Sequence, residues 1–258
     1  MNWKRWGVIV GILLTVWTWQ QWPEGRLRIV FCDVGQGDGA VIVLGAFQAL
    51  IDTGPSETKM AQCIADNVPF WDREIEVVLL SHGDKDHTGA LKDLKKDFHI
   101  NKVIEKADRK DVIRYGMLSF EILSGNDNDS RDLESAMLTD NQGSLVVKLT
   151  YGSFTALFTG DIDVEVELAL KSMGVLKNID LLKVAHHGSK FSSGKEFLGE
   201  VRPELAVISV GSKNTYGHPH GDTLMRLDAV GAKVLRTDQM GTISVVTDGS
   251  KIEVYKNK

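Results

Sequence analysis

The segment His82-Gly-Asp84-Lys-Asp86-His87 places two imidazoles and two carboxylates within six residues. It follows the apolar run Ile75 to Leu80, so a strand ending there delivers all four groups to one loop. Carboxylates gathered this closely repel one another unless a cation neutralises them. Imidazole with carboxylate is also the donor set of a divalent metal site. The plain alternative is a solvated polar loop, since Asp, Gly and Lys are ordinary loop residues. Three further strand ends carry the same chemistry: Leu50-Ile-Asp52-Thr-Gly54, Phe158-Thr-Gly-Asp161, and Lys183-Val-Ala-His186-His187-Gly-Ser189. A Gly-Asp after a strand is by itself usually a turn. Four such junctions in one chain are harder to read that way, because an α/β sheet brings same-edge loops together.

The elements that must position these groups follow a repeated rhythm. Strands are expected at Leu27 to Cys32, Ala40 to Leu44, Ala49 to Ile51 and Ile75 to Leu80, with helices over Lys59 to Asn67 and Thr88 to Lys96. The second half repeats the pattern. A hairpin of Ser144 to Thr150 and Phe154 to Phe158 leads to a helix over Asp163 to Met173 and a strand over Ile179 to Val184. A strand at Ala206 to Val210, a helix around Leu224 to Val230, and strands at Lys233 to Leu235, Ile243 to Val246 and Lys251 to Val254 close the chain. Interleaved strands and helices with strands in excess imply sheets packed face to face under outer helices, a four-layer α/β arrangement. Ser124 to Gln142, rich in Asn, Asp and Ser, reads as a long loop beside the site.

His82-x-Asp84-x-Asp86-His87, with Asp52, Asp161 and His186-His187 in that order, resembles the metallo-β-lactamase superfamily. More narrowly, Asp33-Val-Gly-Gln36-Gly-Asp38, His186-His187-Gly-Ser189 and Asn214-Thr-Tyr-Gly-His218-Pro are similar to the soluble hydrolase domain of ComEC-type competence proteins, which form the inner-membrane channel for DNA uptake. The resemblance runs from about Arg28 to Val254 and implies an αββα sandwich. It also implies a pair of divalent ions, Mn²⁺ or Zn²⁺, with Mg²⁺ compatible. One would be held by His82, Asp84 and Asp161. The other would be held by Asp86, His87, Asp161 and one of His186 or His187. The sequence departs from the superfamily pattern His-x-His-x-Asp-His at Asp84, and Asn141-Gln-Gly-Ser144 stands where a further His is usual. An oxygen-richer first position favours Mn²⁺ or Mg²⁺ over Zn²⁺.

The resemblance makes Asp86 and His218 the catalytic candidates and Asp52 a support for the metal loop. Asp38 and Gln36 lie in a glycine-flanked turn and read equally as turn formers; His220 is a weaker alternative to His218. Lys183, Ser189 and Lys213, with Lys190 and Ser192 nearby, are candidate contacts for a polyanion backbone. His99 belongs to no cluster.

Net charge of −5 argues against a generally basic, nucleic-acid-coating protein but not against an enzyme whose cations are gathered at one cleft. There is no Gly-x-x-x-x-Gly-Lys loop, which speaks against an NTPase. The two cysteines, Cys32 and Cys63, form no Cys-x-x-Cys pair, so a thiolate zinc site is excluded; two free buried thiols are expected, with a disulfide open if the protein works outside the cytoplasm.

Lys4 and Arg5 precede an uncharged apolar run from Trp6 to Trp19, ended by Pro23-Glu-Gly25. This reads as an uncleaved membrane anchor over residues 1–24, with a hydrolase domain over 25–258 on the extracytoplasmic side. The alternative is a signal peptide that is cut away, leaving a secreted protein. The expected function is a metal-dependent nuclease or phosphodiesterase acting on single-stranded DNA during uptake, beside a separate channel protein or alone. Two alternatives remain: an esterase of phosphocholine-bearing envelope material, and an inactive DNA-binding scaffold.

Overall fold

The computed structural model describes Trp6, residues 25–125 and residues 143–256. The anchor expected over 1–24 and almost all of the loop expected over Ser124 to Gln142 lie outside the described residues. Among the described residues no helix is long and apolar enough to cross a membrane.

The first half opens with the antiparallel strands β1 (Leu27–Phe31), β2 (Gly39–Leu44) and β3 (Phe47–Thr53). Helix α1 (Glu57–Asn67) starts at Ser56, whose side chain accepts from the Lys59 amide and satisfies one free helix donor. The run expected as one strand is divided into β4 (Glu74–Ile75) and β5 (Val77–Leu79). The break falls at Glu76, whose carboxylate accepts from the Gln48 amide at 2.7 Å. The helix expected over Thr88 to Lys96 is likewise two pieces, α2 (Lys85–Thr88) and α3 (Leu91–Asp97), before the short strands β6 (His99–Ile100) and β7 (Val103–Ile104).

A hairpin the sequence pattern did not reveal, β8 (Val112–Tyr115) and β9 (Leu118–Ser124), begins the second sheet. There follow β10 (Val146–Tyr151), β11 (Phe154–Phe158), α4 (Val164–Ser172), β12 (Leu181–Lys183), a 3₁₀ turn over Ala185–Gly188, and α5 (Lys195–Val201). Then come β13 (Leu205–Ile208), α6 (Gly221–Ala229), β14 (Lys233–Arg236), α7 (Thr237–Met240), β15 (Ile243–Thr247) and β16 (Ile252–Lys256).

The first sheet runs β16-β15-β1-β2-β3-β5-β7 and the second β14-β13-β12-β11-β10-β9-β8. Between them Phe31, Ile42 and Leu79 meet Phe120, Leu149 and Phe158, with the Phe31 and Phe158 rings stacked at 5.8 Å. The outer face of the first sheet buries Val30, Leu50 and Val78 against Met60 and Ile64 of α1 and Leu91 and Leu94 of α3. The outer face of the second buries Leu182 and Ala206 against Leu170 of α4, Phe197 of α5 and Leu227 of α6. These are the four layers expected, αββα.

One expectation is corrected here. Cys32 and Cys63 are joined in a disulfide with Cα atoms 5.9 Å apart, and no free thiol remains. The outer face of β1 packs on α1, so both sulfurs fall in one apolar cluster beside Val30, Met60 and Ile64. The residue that follows β1 and a residue of α1, 31 positions apart in sequence, are thus covalently tied.

Candidate metal centre

Parallel pairing aligns carboxyl ends, and β3 with β5 and β11 with β12 are both parallel pairs. Their ends deliver Asp52, Ser81 and His82 from one sheet, and Asp161, His186 and His187 from the other, to a single edge. Asp52 adopts φ 57°, a left-handed conformation costly for a non-glycine residue and typical of functional sites. In that pose its carboxylate accepts from the Ser81 amide at 2.7 Å, the Ser81 hydroxyl at 2.8 Å and His87 Nδ1 at 2.8 Å. His186 and His187 are also left-handed, at φ 49° and 52°, and their ring planes stand at 81° to each other.

The Nδ1 atoms of His82, His87 and His187 are engaged. His87 gives its Nδ1 to Asp52, His187 donates from Nδ1 to the Ser209 carbonyl at 2.9 Å, and His82 Nδ1 lies 3.0 Å from the Ser81 hydroxyl. This is how proteins fix the tautomer of a metal-ligating histidine. The opposite nitrogens are left over: Nε2 of His82, His87 and His187, and Oδ1 of Asp161, are buried without a hydrogen-bond partner. Each orphaned Nε2 faces a carboxylate oxygen. His82 faces Asp84 at 3.5 Å, His87 faces Asp161 at 3.4 Å, and His187 faces Asp86 at 3.4 Å. That spacing is long for a hydrogen bond. It is the separation of two ligands each about 2.1 Å from one tetrahedral ion, roughly 3.4 Å. His82, His87 and Asp161 form one group able to close on a cation, and Asp86, His87 and His187 an overlapping one; the single free Nε2 of His87 serves only one ion at a time. The residues present therefore fit divalent cations.

Electrostatics agree with this arrangement. Burial alone would raise the Asp161 pKa, but His87, His187 and His186 hold it far below the ordinary carboxylate range. Burial likewise opposes charge on His187, yet Asp38, Asp86 and Asp161 outweigh it and lift that imidazole to about 9. His87 is raised in the same way by Asp52, Asp161 and Asp38. Asp86 is held low against burial by His187 and His87. Without a cation these imidazoles keep protons that ligation must displace.

The glycine-rich turn before β2 is a structural clamp. A Cβ on Gly37 (φ 144°) would lie 2.2 Å from the Asp86 carbonyl oxygen, so only glycine lets this turn meet the metal loop. The contact seats Asp38, buried, with its Oδ1 3.3 Å from His187 Nδ1 and its Oδ2 on Lys183 Nζ. Gln36 Oε1 accepts from the Gly211 amide at 3.2 Å and joins the turn to the loop after β13.

Several expected contacts sit elsewhere. Lys183, expected on the substrate, is buried; its ammonium is consumed by Asp38 and by the Val184 carbonyl at 3.0 Å. Its strand enters the core before the loop begins. Ser189 is buried too, its hydroxyl accepting from the Phe191 amide at 3.3 Å, and Ser192 donates inward to the Ile162 carbonyl. Lys213 and Lys190 are exposed. Asp84 lies beside His82 but is 54% exposed and belongs to neither cluster. His186 stands at the mouth, Nε2 3.7 Å from Asp161 Oδ2, with the His218 ring 5.8 Å away and Tyr216 stacked on His218. Asn214 holds His218 in place by accepting from its amide and donating to its carbonyl. His220 instead caps α6, accepting from the Asp222 amide, and His99 is exposed on β6.

The family model described as the metallo-beta-lactamase superfamily matches residues 32–212, spanning all of these ligand candidates. The chain belongs to the metallo-beta-lactamase superfamily. Within it, the chain is 31% identical to ComE operon protein 3 of Bacillus subtilis (strain 168), over 85% of this chain and 33% of that protein. It is 28% identical to Recombination protein 2 of Haemophilus influenzae, over 96% of this chain and 32% of that protein. It is 30% identical to Competence protein ComA of Neisseria gonorrhoeae, over 86% and 32%. The chain thus spans about a third of the length of these relatives. The resemblance to competence-type proteins drawn from the motifs holds across the sequence. Among solved structures, the metallo-beta-lactamase fold protein YhfI from Bacillus subtilis superposes with TM-score 0.58 at 14% identity, covering 89% of this chain and all of that one. A diphosphatase from the PhnP family superposes at 0.50 with 12% identity, covering 81% and 94%. At such identities the likeness shows the superfamily fold alone.

Sequence reasoning missed Ser81, which binds Asp52 and sits within 3.1 Å of both His82 and His87 rings. A hydroxyl directly before the first ligand was the available signal. It also missed Ser144, whose Oγ accepts from the Asp161 amide at 3.4 Å, and Ser209, which acts through a carbonyl that no residue type betrays.

Proposed function

We propose that this chain is a divalent-metal-dependent phosphodiesterase that cleaves single-stranded DNA on the outer side of the cell membrane. The observation that carries the reading is the set of three buried, unpartnered Nε2 atoms, each facing a carboxylate at 3.4–3.5 Å. His82 and Asp161, with Asp84 at the rim, would hold one ion; Asp86, His87 and His187 would hold a second, with Asp161 shared. His187 is the better ligand of the adjacent pair because its Nδ1 is pinned to the Ser209 carbonyl while its Nε2 turns inward. The chemistry a bound dication pair supplies is acidification of a water and neutralisation of phosphate oxygens; Mn²⁺ suits the oxygen-rich rim best.

The chain's own groups supply the rest. Asp86 stays ionised and half-exposed, so it can orient an attacking water. His218 at the mouth is kept neutral by burial and by the neighbouring His186 and His187, so its ring N–H can donate to a phosphate oxygen and its other ring nitrogen can take a proton from the attacking water. The names of the competence relatives support DNA as the substrate. The Cys32–Cys63 bond supports an oxidising compartment.

The test is incubation of the purified chain with end-labelled single-stranded DNA. Fragments should appear with Mn²⁺ and vanish with a chelator. Intact DNA with Mn²⁺, Zn²⁺ and Mg²⁺, alongside hydrolysis of a phosphocholine ester, would instead assign an envelope esterase. Exposed Tyr216 beside His218 would suit a trimethylammonium group by cation–π attraction.

A further inference from the structure

Four residues beyond His187 the chain exposes a large aromatic that no packing explains. Phe191 is 67% exposed, and Lys190 Nζ stands 4.9 Å from its ring centroid. The loop beneath is held with unusual thoroughness. Glu167 of α4, buried within the fold, accepts from the Ser193 amide and from the Gly194 amide at 2.8 Å. From α6, Arg226 donates to the carbonyls of Ser193 at 2.8 Å, Ser192 at 3.0 Å and Lys190 at 3.4 Å. The Val164 amide bonds the Phe191 carbonyl, and Ser193 takes φ 55°. Two buried or half-buried charged side chains and a strained residue are costly for a surface loop. Their common effect is to fix one exposed ring and one cation, side by side, on the loop that leaves His187.

We propose that Phe191 and Lys190 form a stacking subsite for single-stranded nucleic acid. The ring would take a base on its open face and the ammonium would meet the adjoining phosphate, with Glu167 and Arg226 as the positioning residues. This names the substrate contact of the nuclease reading and rests on it. A pairing of π face and cation is the chemistry by which sequence-tolerant single-strand binders hold DNA. It replaces the backbone contact expected of Lys183 and Ser189, both of which face the interior. The loop carrying Phe191 is joined to the one carrying His218. The His220 amide bonds the Gly188 carbonyl at 2.9 Å, and Thr223 Oγ1 bonds the Ser189 carbonyl at 2.8 Å. A strand stacked on Phe191 is therefore kept in fixed register with the neutral imidazole.

Fluorescence anisotropy of a labelled oligothymidylate with the full chain in chelator tests this, with hydrolysis of bis(p-nitrophenyl) phosphate under Mn²⁺ as the second readout. Phe191→Ala should bind about tenfold more weakly, and Phe191→Tyr should bind like the parent. Lys190→Ala should flatten the salt dependence of binding. All three should hydrolyse the small ester as the parent does. Equal binding by Phe191→Ala and the parent, no binding by the parent itself, or parallel loss of small-ester hydrolysis would overturn the subsite. If the parent binds the oligonucleotide but leaves it intact with Mn²⁺, Zn²⁺ and Mg²⁺, the nuclease reading falls and the subsite stands. If it cleaves DNA and Phe191→Ala does so equally well, only the subsite falls.

Discussion

His87 and His187 are sealed inside the cleft, whereas His186 and His218 line its mouth, and the two pairs are pulled in opposite directions. Burial favours the neutral form of all four rings. At the inner pair it is overcome, because Asp52 and Asp161 surround His87 while Asp38 and Asp86 surround His187. At the outer pair burial wins, reinforced at His186 by His187 and Lys183 and at His218 by His186. The ring is the same in both places; the count of nearby carboxylates decides whether it waits for a cation or stays a neutral base.

The largest effect should come from breaking the pair that supports the inner rings. Lys183→Met strips the ammonium from buried Asp38 and leaves it only the neighbouring imidazoles, which should cost about 3–5 kcal/mol in urea unfolding. Adding Asp38→Asn should recover part of the loss. Next in size, His218→Gln should lower kcat about 100-fold while metal content per chain stays at the parent level. His187→Ala should instead lose metal, as read by elemental analysis, and a variant that kept its full complement would dissolve the distinction between inner and outer rings. Asp52→Ala frees the Nδ1 of His87 and should weaken metal binding about 10–100-fold, measured by competition with a chromophoric chelator.

The last expectation is a slope with pH. His187 is raised from 6.5 to about 9 in the folded metal-free protein. The stability it contributes is therefore fully present below 6.5 and lost as pH climbs through about 9. Metal affinity should run the other way and increase over the same interval as the proton to be displaced becomes scarcer. Urea midpoints in chelator and calorimetric titration with Mn²⁺ read the two trends.

What could be read from the sequence was what lies close together in it. The 82–87 loop, Asp161 after a hairpin, the paired imidazoles and the alternating strands all carry local signals, and each is where the pattern put it. The exceptions depend on partners far along the chain. Lys183 looked like a surface cation because the residue that consumes it, Asp38, is 145 positions away. Cys32 and Cys63 looked like free thiols because only the packing of β1 on α1 brings them together. The choice between His186 and His187 turned on a backbone carbonyl. Strand β8 was missed because Val112, Arg114 and Tyr115 are exposed, whereas β9 does alternate, with Leu118, Phe120 and Ile122 buried, and its short signal stood alone without that partner.

The inward-facing ligand atoms come from both sides of residues 126–142: His82, Asp86 and His87 before, Asp161 and His187 after. Neither fragment of a chain severed there carries a full coordination set. Dication uptake by the mixed pieces would consequently act as a gauge of reassembly, and titrating one piece into the other would weigh how strongly the two sheets attract each other.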